Sequence, residues 1–269
     1  LTANHPIIMG VLNITPDSFS DGGRFFESQE AIEQAILMVE HGADIIDIGG
    51  ESTRPGAPDV SEEEELNRVL PVIEALCDNI NVPISIDTSK PIVMKKAVES
   101  GASIINDVFA LRLDGALEIA ASLGVDVCLM HMQGNPRTMQ QNPRYDNVVL
   151  EVKDFFAERI KACAKVGIKP KSITLDPGFG FGKNLAHNVA LLKNLSEFHE
   201  FGVSILAGLS RKSMIGTLLG DKEVDERMIG SVTAALIAVE NGADIIRTHD
   251  VAETRDALKV WQQIKHFRE

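Results

Sequence analysis

Asp87, Asn106, Asp176 and Arg247 each sit where a short aliphatic run stops, and His249 lies just beyond the last. The runs are Ile84-Ser85-Ile86, Ile104-Ile105, Ile173-Thr174-Leu175 and Ile245-Ile246; Asn13 ends a similar run over 7–12. Brought together, Asp87, Asn106 and Asp176 would present acceptors and one amide. Two buried carboxylates are costly unless a donor-rich or cationic partner satisfies them. A planar heterocycle with adjacent N–H groups is one such partner. Lys212 and Arg247 are another, which keeps a purely structural ion-pair network open. Arg247, His249 and Asn13 suggest a second subsite, for an anion. A guanidinium fork matches phosphate oxygens, and a neutral amide holds phosphate or Mg2+. His249 alone reads equally as a core histidine.

Two Gly-rich loops, 13–28 and 49–61, exceed ordinary connection length, as lids and binding loops do. Opposite charges stand beside their glycines: Asp21 next to Gly22-Gly23, and Arg54 next to Pro55-Gly56. The loops are expected to close over a substrate and exclude water. A third stretch, Asp176-Pro177-Gly178-Phe179-Gly180-Phe181-Gly182-Lys183, matches neither common phosphate loop. A Walker loop needs one more residue between its glycines and a Ser or Thr after the Lys, where Asn184 stands. A dinucleotide turn needs two residues between its last two glycines. The stretch reads as a buried strand ended by a carboxylate, then a loop that lets backbone approach something closely. No nucleophile–base pair of the triad kind is found.

The elements that must position these residues emerge from a weak repeat. Gly42-Ala43-Asp44-Ile45-Ile46-Asp47 matches Gly242-Ala243-Asp244-Ile245-Ile246-Arg247, and Gly101-Ala102-Ser103-Ile104-Ile105-Asn106 is close to both. Gly124-Val125-Asp126-Val127 is a looser copy. In each, a glycine is expected to end a helix in the left-handed conformation, and a strand begins at once. Strands are predicted over 7–12, from 45, and over 83–86, 103–105, 126–130, 173–175, 203–206 and 245–246. Helices are predicted over 31–39, from a capping box at Ser61, from Pro91, and over 148–166, 189–198, 228–239 and 252–266. Eight strand–helix units fit, so the expected fold class is α/β, a TIM (β/α)8 barrel forming a single domain over 1–269. A doubly wound open sheet is the alternative, but no dinucleotide turn follows the first strand. The strand-to-helix turns carry the polar residues, with Glu51, Asp107 and His131 among them. In a barrel those turns share the carboxyl face of the strands. Acids are expected toward the centre of that mouth and bases toward one side.

Composition narrows the classes. With 44% hydrophobic residues, mostly aliphatic, a large core is available, as strands buried on both faces require. Net charge is −13 and no Lys/Arg run exceeds two residues, so nucleic-acid binding is not expected. Neither a membrane-spanning apolar run nor a basic-then-apolar signal is present. Cys77, Cys128 and Cys163 are odd in number and far apart, which reads as buried free thiols in a reducing cytoplasm.

The chain resembles the bacterial dihydropteroate synthases, a family of pterin-binding TIM barrels, over essentially its whole length. The resemblance is carried by Asn13-Ile14-Thr15-Pro16-Asp17-Ser18-Phe19-Ser20-Asp21-Gly22-Gly23, Gly49-Gly50-Glu51-Ser52-Thr53-Arg54-Pro55-Gly56, 131–136, 175–183, Ser210-Arg211-Lys212-Ser213 and Arg247-Thr248-His249-Asp250. It implies condensation of 6-hydroxymethyl-7,8-dihydropterin diphosphate with p-aminobenzoate, releasing diphosphate and giving 7,8-dihydropteroate for folate synthesis. It further implies that Asp87, Asn106, Asp176 and Lys212 bind the pterin, with Met130, Phe181 and Arg247 against it. Asn13, Arg247 and His249 would hold diphosphate, with Mg2+ at Asn13. Phe19, Thr53, Arg54, Pro55 and Ser213, beside Lys212, would surround p-aminobenzoate, which sulfonamides mimic. Catalytic roles would fall to Asp21, Lys212 and Asn13, and a cytoplasmic homodimer is implied. A pterin-barrel methyltransferase is the nearest rival, and would need no diphosphate subsite. A non-catalytic pterin- or phosphate-binding protein is a second.

Overall fold

The computed structural model describes residues 5–14, 23–52, 59–135 and 138–267. Eight strands alternate with helices: β1 (Ile7–Asn13), β2 (Ile45–Gly49), β3 (Ile84–Asp87), β4 (Ile104–Asp107), β5 (Asp126–Met130), β6 (Ile173–Asp176), β7 (Ser204–Gly208) and β8 (Ile245–Thr248). The helices are α1 (Gly23–Glu40), α2 (Glu62–Asn79), α3 (Pro91–Glu99), α4 (Ala116–Leu123), α5 (Val148–Lys165), α6 (Leu185–Lys193), α7 (Ser213–Leu218), α8 (Met228–Glu240) and α9 (Val251–Lys265). The strands are all parallel and close in sequence order, β8 pairing with β1. The expected TIM barrel is therefore the observed architecture.

Side-chain alternation divides each strand between two cores. Ile8, Leu12, Ile46, Ile48, Ile86, Ile105, Leu129, Leu175, Ile205 and Ile246 face outward and pack with Val69, Leu76, Met94, Phe156 and Leu191 of the helices. Each such side chain, fully buried, stabilises the fold by about 1.5–3 kcal/mol. The opposite parity gives a separate small cluster inside the barrel: Ile7, Met9, Ile45, Cys128, Leu206 and Ile245, with Ile104 against it. That apolar plug fills the interior below the mouth.

The repeat has a structural meaning at the amino end of the strands. Asp44 accepts from Ile8 N–H through Oδ2 (2.8 Å), while its own N–H donates to Ile8 O (2.8 Å). Asp244 does the same with Ile205, at 2.8 and 2.9 Å. Each aspartate adds one rung below the ladder that joins its strand to a neighbour. Ser103, in the third copy, keeps the backbone half, donating to Ile84 O at 2.9 Å. The glycines before them, Gly42, Gly101 and Gly242, have φ of 97°, 120° and 104°, as the helix endings require.

Several expectations need correction. Helix α1 begins at Gly23, so the first long loop is shorter than 13–28. The helix predicted over 189–198 is two pieces, because α6 stops at Lys193 and a 3-10 helix, Leu195–Phe201, follows. Helix α4 ends at Gly124 as the repeat predicts, though no start is read for it, and α7 is not predicted; with six residues α7 carries too little periodicity to read. Ser61 caps α2 by accepting from Glu64 N–H (3.2 Å). Cys128 and Cys163 are buried as expected, but Cys77 is exposed, its thiol 3.4 Å from Ser100 O.

Asp244→Ala strips the acceptor from Ile205 N–H and should cost about 1–3 kcal/mol of stability. Chemical denaturation should show the lower midpoint, while the folded variant keeps the parent's function, since the residue lies at the end away from the mouth.

Candidate active site

Two residues beyond the plug, the same parity brings Asp47, Asn106, Met130, Gly208 and Arg247 inward at the carboxyl ends of β2, β4, β5, β7 and β8. Register adds Asp87 beside Asn106, Asp176 beside Met130, and Asn13 beside Gly49. The acids and bases expected at one mouth are thus together. Gly49 and Gly208 keep it open: a Cβ on Gly49 would sit 3.6 Å from Asn13 Oδ1 and 3.8 Å from Asp87 Oδ2. One on Gly208 would sit 3.7 Å from Lys212 Nζ and 3.9 Å from Asp176 Oδ2.

The charges do not segregate to centre and side as expected. Arg247 crosses the mouth and bridges two acids, Nε donating to Asp47 Oδ2 (2.6 Å) and Nη2 to Asp87 Oδ2 (2.8 Å). Burial drives this, because neither carboxylate can remain charged there without a counter-ion. Burial alone would lower the Arg247 pKa, but Asp47 and Asp87 hold it above the ordinary arginine value. Burial pushes the Asp87 carboxyl up to about 7; Arg247 pulls it down, while Asp47, Glu65 and Asp107 add to the rise. Burial also raises Asp176, against the pull of Lys212, whose own pKa burial lowers to about 8.

Asp47 was missed as a site residue from sequence. It is fully buried and accepts from Asn106 Nδ2 (3.1 Å) as well as Arg247. Its Oδ1 has no partner among the described residues. A bare buried acceptor costs about 1–3 kcal/mol, recovered when a donor arrives.

The Gly-rich loop after β6 approaches backbone, not phosphate. Gly178, with φ 71°, lies so close to the loop after β5 that a Cβ would fall 1.9 Å from His131 O. Lys183 then folds into the loop: Nζ meets His131 O (3.2 Å), Gly178 O (3.0 Å), Phe181 O (2.9 Å) and His131 Nδ1 (2.9 Å). Burial, with Lys183 adjacent, drops the His131 pKa to about 2, so the ring is neutral and Nδ1 can accept. Burial pushes Lys183 itself well below the ordinary lysine value. Held in this way, Phe179 O accepts from Lys212 Nζ (2.5 Å), and that ammonium lies 4.8 Å from the Phe181 ring centre. Asp176 Oδ1 accepts from Gly178 N–H (2.8 Å). Met130, Met132 and Val108 form an apolar wall with Phe181 packed against it.

The remaining expected residues divide. His249 Nδ1 lies 3.0 Å from Ser210 Oγ, and Arg211 grips Asp250 through Nε and Nη2 (3.2 and 2.5 Å), lacing the last two mouth loops together. Ser213 is exposed at the start of α7. Asp107 and Glu51 serve their own loops. Asp107 faces away from the mouth and accepts from Phe109 N–H (2.8 Å), Leu111 N–H (2.7 Å) and Ser89. Glu51 binds Val60 N–H (3.0 Å) and Lys90 (2.5 Å), bringing the ends of its loop together. Expectations for Phe19, Asp21, Thr53, Arg54 and Pro55 fall outside the described residues. A groove between the starts of α5 and α6, lined by Tyr145, Asn147, His187 and Glu197, shares no residue with the mouth.

Lys183→Met removes the donor serving the carbonyls of His131 and Phe181 and one of the two serving Gly178 O, and should cost about 2–4 kcal/mol of stability, read by chemical denaturation. A variant as stable as the parent would contradict a locking role.

Comparison with known proteins agrees with this geometry. The profile of the family described as pterin binding enzyme matches residues 9–249. The dihydropteroate synthase of Haemophilus influenzae is 57% identical over 257 residues, covering 96% of this chain and 93% of that protein. The Yersinia pestis dihydropteroate synthase, solved with a sulfonamide drug complex, superposes with TM-score 0.92 at 51% identity, covering 97% of this chain and 94% of that one. The Xanthomonas albilineans enzyme, solved with 7,8-dihydropteroate, gives TM-score 0.91 at 48% identity, covering 100% and 97%. With its barrel mouth and its sequence in accord, the chain belongs to the pterin-binding enzyme family, among the dihydropteroate synthases.

Proposed function

We infer that the protein joins 6-hydroxymethyl-7,8-dihydropterin diphosphate to p-aminobenzoate, releasing diphosphate and forming 7,8-dihydropteroate. The observation that carries this reading is the convergence of Asp87, Asn106 and Asp176 with Lys212 and Arg247 on one barrel mouth. Asp87 and Asp176 offer acceptors to the N–H edge of a pterin, and Asn106 offers its amide. Lys212 donates from one side; Met130 and Phe181 pack against the ring. Arg247, released from Asp87 when the pterin takes that carboxylate, turns its fork toward diphosphate, with His249 and Asn13 completing the subsite.

The chemistry needs no strong base, because an aryl amine is already neutral near pH 7. What it needs is an easy departure of diphosphate, leaving a cation delocalised into the electron-rich pterin, and a water-poor mouth. Asp21, on the loop after β1, is placed by sequence to stabilise that cation. Phe19, Thr53, Arg54, Pro55 and Ser213 are assigned to p-aminobenzoate on the family likeness, and a relative solved with a sulfonamide drug complex supports a site for that class of molecule in the family.

Among the described residues no cluster of three or more His, Cys, Asp or Glu side chains could hold a metal. Asn13 offers a single neutral oxygen, which fits Mg2+ only when substrate oxygens and water supply the other ligands. Bound in that way, Mg2+ would neutralise charge growing on the leaving diphosphate.

A cytoplasmic homodimer is part of the proposal. The homodimer's support is a set of exposed apolar residues on α8 and α9, Ile229 (75% exposed), Ile237, Val260 and Ile264 (74%), with Phe267 just past the end of α9. A second copy is the partner proposed for these residues; no described helix is long and apolar enough to cross a membrane.

Three outcomes are expected. Asp176→Asn presents a donor where the pterin needs an acceptor, so pterin affinity by calorimetry should fall at least ~100-fold; parent-like affinity would contradict the assignment. Asp87 must ionise, near pH 7, and Lys212 must stay protonated, below about pH 8. Hence kcat/KM for pterin diphosphate should fall on both sides of that window, and a flat profile from about pH 6 to 9 would oppose these roles. Ile229→Asp with Ile264→Asp should convert a sedimenting dimer to monomer. The reaction itself is tested by diphosphate release with and without p-aminobenzoate.

A further inference from the structure

Asp47 has no task in the scheme above, although it touches two residues that do. It is buried on β2, and its Oδ2 accepts from Asn106 Nδ2 (3.1 Å) and Arg247 Nε (2.6 Å). We propose that Asp47 is a positioning residue for the pterin subsite. It fixes the polarity of the Asn106 amide and gives Arg247 a pivot.

The polarity argument rests on what each group can do. Asp47 Oδ2 already accepts from Arg247 Nε, so the Asn106 atom facing it must be the amide nitrogen, a donor. Turning the amide over would set Oδ1 against Oδ2, acceptor against acceptor. Oδ1 is therefore the end turned from Asp47 and left for a ligand, an acceptor of the kind a pterin N–H edge requires, while one of the two Nδ2 hydrogens is taken by Asp47. Without Asp47 the amide is free to present either end, and half of the recognition is lost.

The pivot argument rests on the two arms of Arg247. Nη2 is bound to Asp87 (2.8 Å), and that bond must open when a ligand takes Asp87. Nε stays on Asp47, so the guanidinium remains in the mouth and can turn toward an anion. Asp87, at the end of β3, cannot hold both Arg247 and a ligand through the same carboxylate oxygen.

The inference rests on the pterin assignment, and the experiment separates the two. If the unaltered protein fails to bind pterin diphosphate by calorimetry, the assignment itself fails. If it binds, Asp47→Asn is expected to raise KM for pterin diphosphate about tenfold or more while KM for p-aminobenzoate stays within about twofold. A double-mutant cycle with Asn106→Ala should be strongly non-additive. Equal rises in both KM values, or additivity in the cycle, would overturn the proposal. Should Asp47→Asn fail to fold, neutron diffraction on the unaltered protein with 6-hydroxymethylpterin decides. An Asn106 amide deuteron directed at Asp47 supports it, and Oδ1 directed at Asp47 overturns it.

Discussion

The site depends on one arginine placed between acids. Asp47, Asp87 and Asp176 project into a barrel interior whose floor is sealed by Met9, Ile45, Cys128 and Ile245. Water cannot reach the carboxylates from below, so their charge must be met from the chain or from a ligand. Arg247 meets two of them with one planar group, which a lysine's point charge could not span in the same way. Lys212 stands toward the third. The mouth is therefore poised between an internally satisfied state and one satisfied by a bound donor-rich ring.

The rest of the mouth keeps this arrangement stiff. The loops after β5 and β6 interlock through Gly178, Lys183 and Asn188, whose Oδ1 accepts from Gly180 N–H (2.8 Å). The loops after β7 and β8 are laced by Ser210–His249 and Arg211–Asp250. Lys183 and Arg211 each give up rotamer freedom here, offset by several hydrogen bonds apiece that fix the loops relative to one another. A rigid half of this kind suits recognition of a flat, rigid ring.

Much of this was legible in the sequence, for identifiable reasons. Asp87, Asn106, Asp176 and Arg247 end aliphatic runs, and a barrel turns the end of a strand into its mouth. The Gly-Ala-Asp-Ile-Ile repeat marked strand starts because an aspartate there supplies a rung to the neighbouring strand. Asp47 was not read because it is followed by Ile48 and looks internal; only the alternation Ile45, Asp47, Gly49 reveals that it faces inward. Lys183 was weighed as part of a phosphate loop, and nothing local shows that it turns back on His131, fifty-two positions away. Asp107 looked like its neighbour Asn106, but one step along a strand reverses the face.

Closure of the barrel joins the first strand to the last, Ile7 beside Ile245 and Met9 beside Arg247. A ribosome delivers β8 last of the eight strands, so β1 waits with one edge unpaired until the other seven have been made. Asp47 and Asp87 wait as well, since their cation arrives on that final strand. Completion of the wall and discharge of its acids are thus a single event in the life of the nascent chain, and no half-made barrel holds its carboxylates in a finished site.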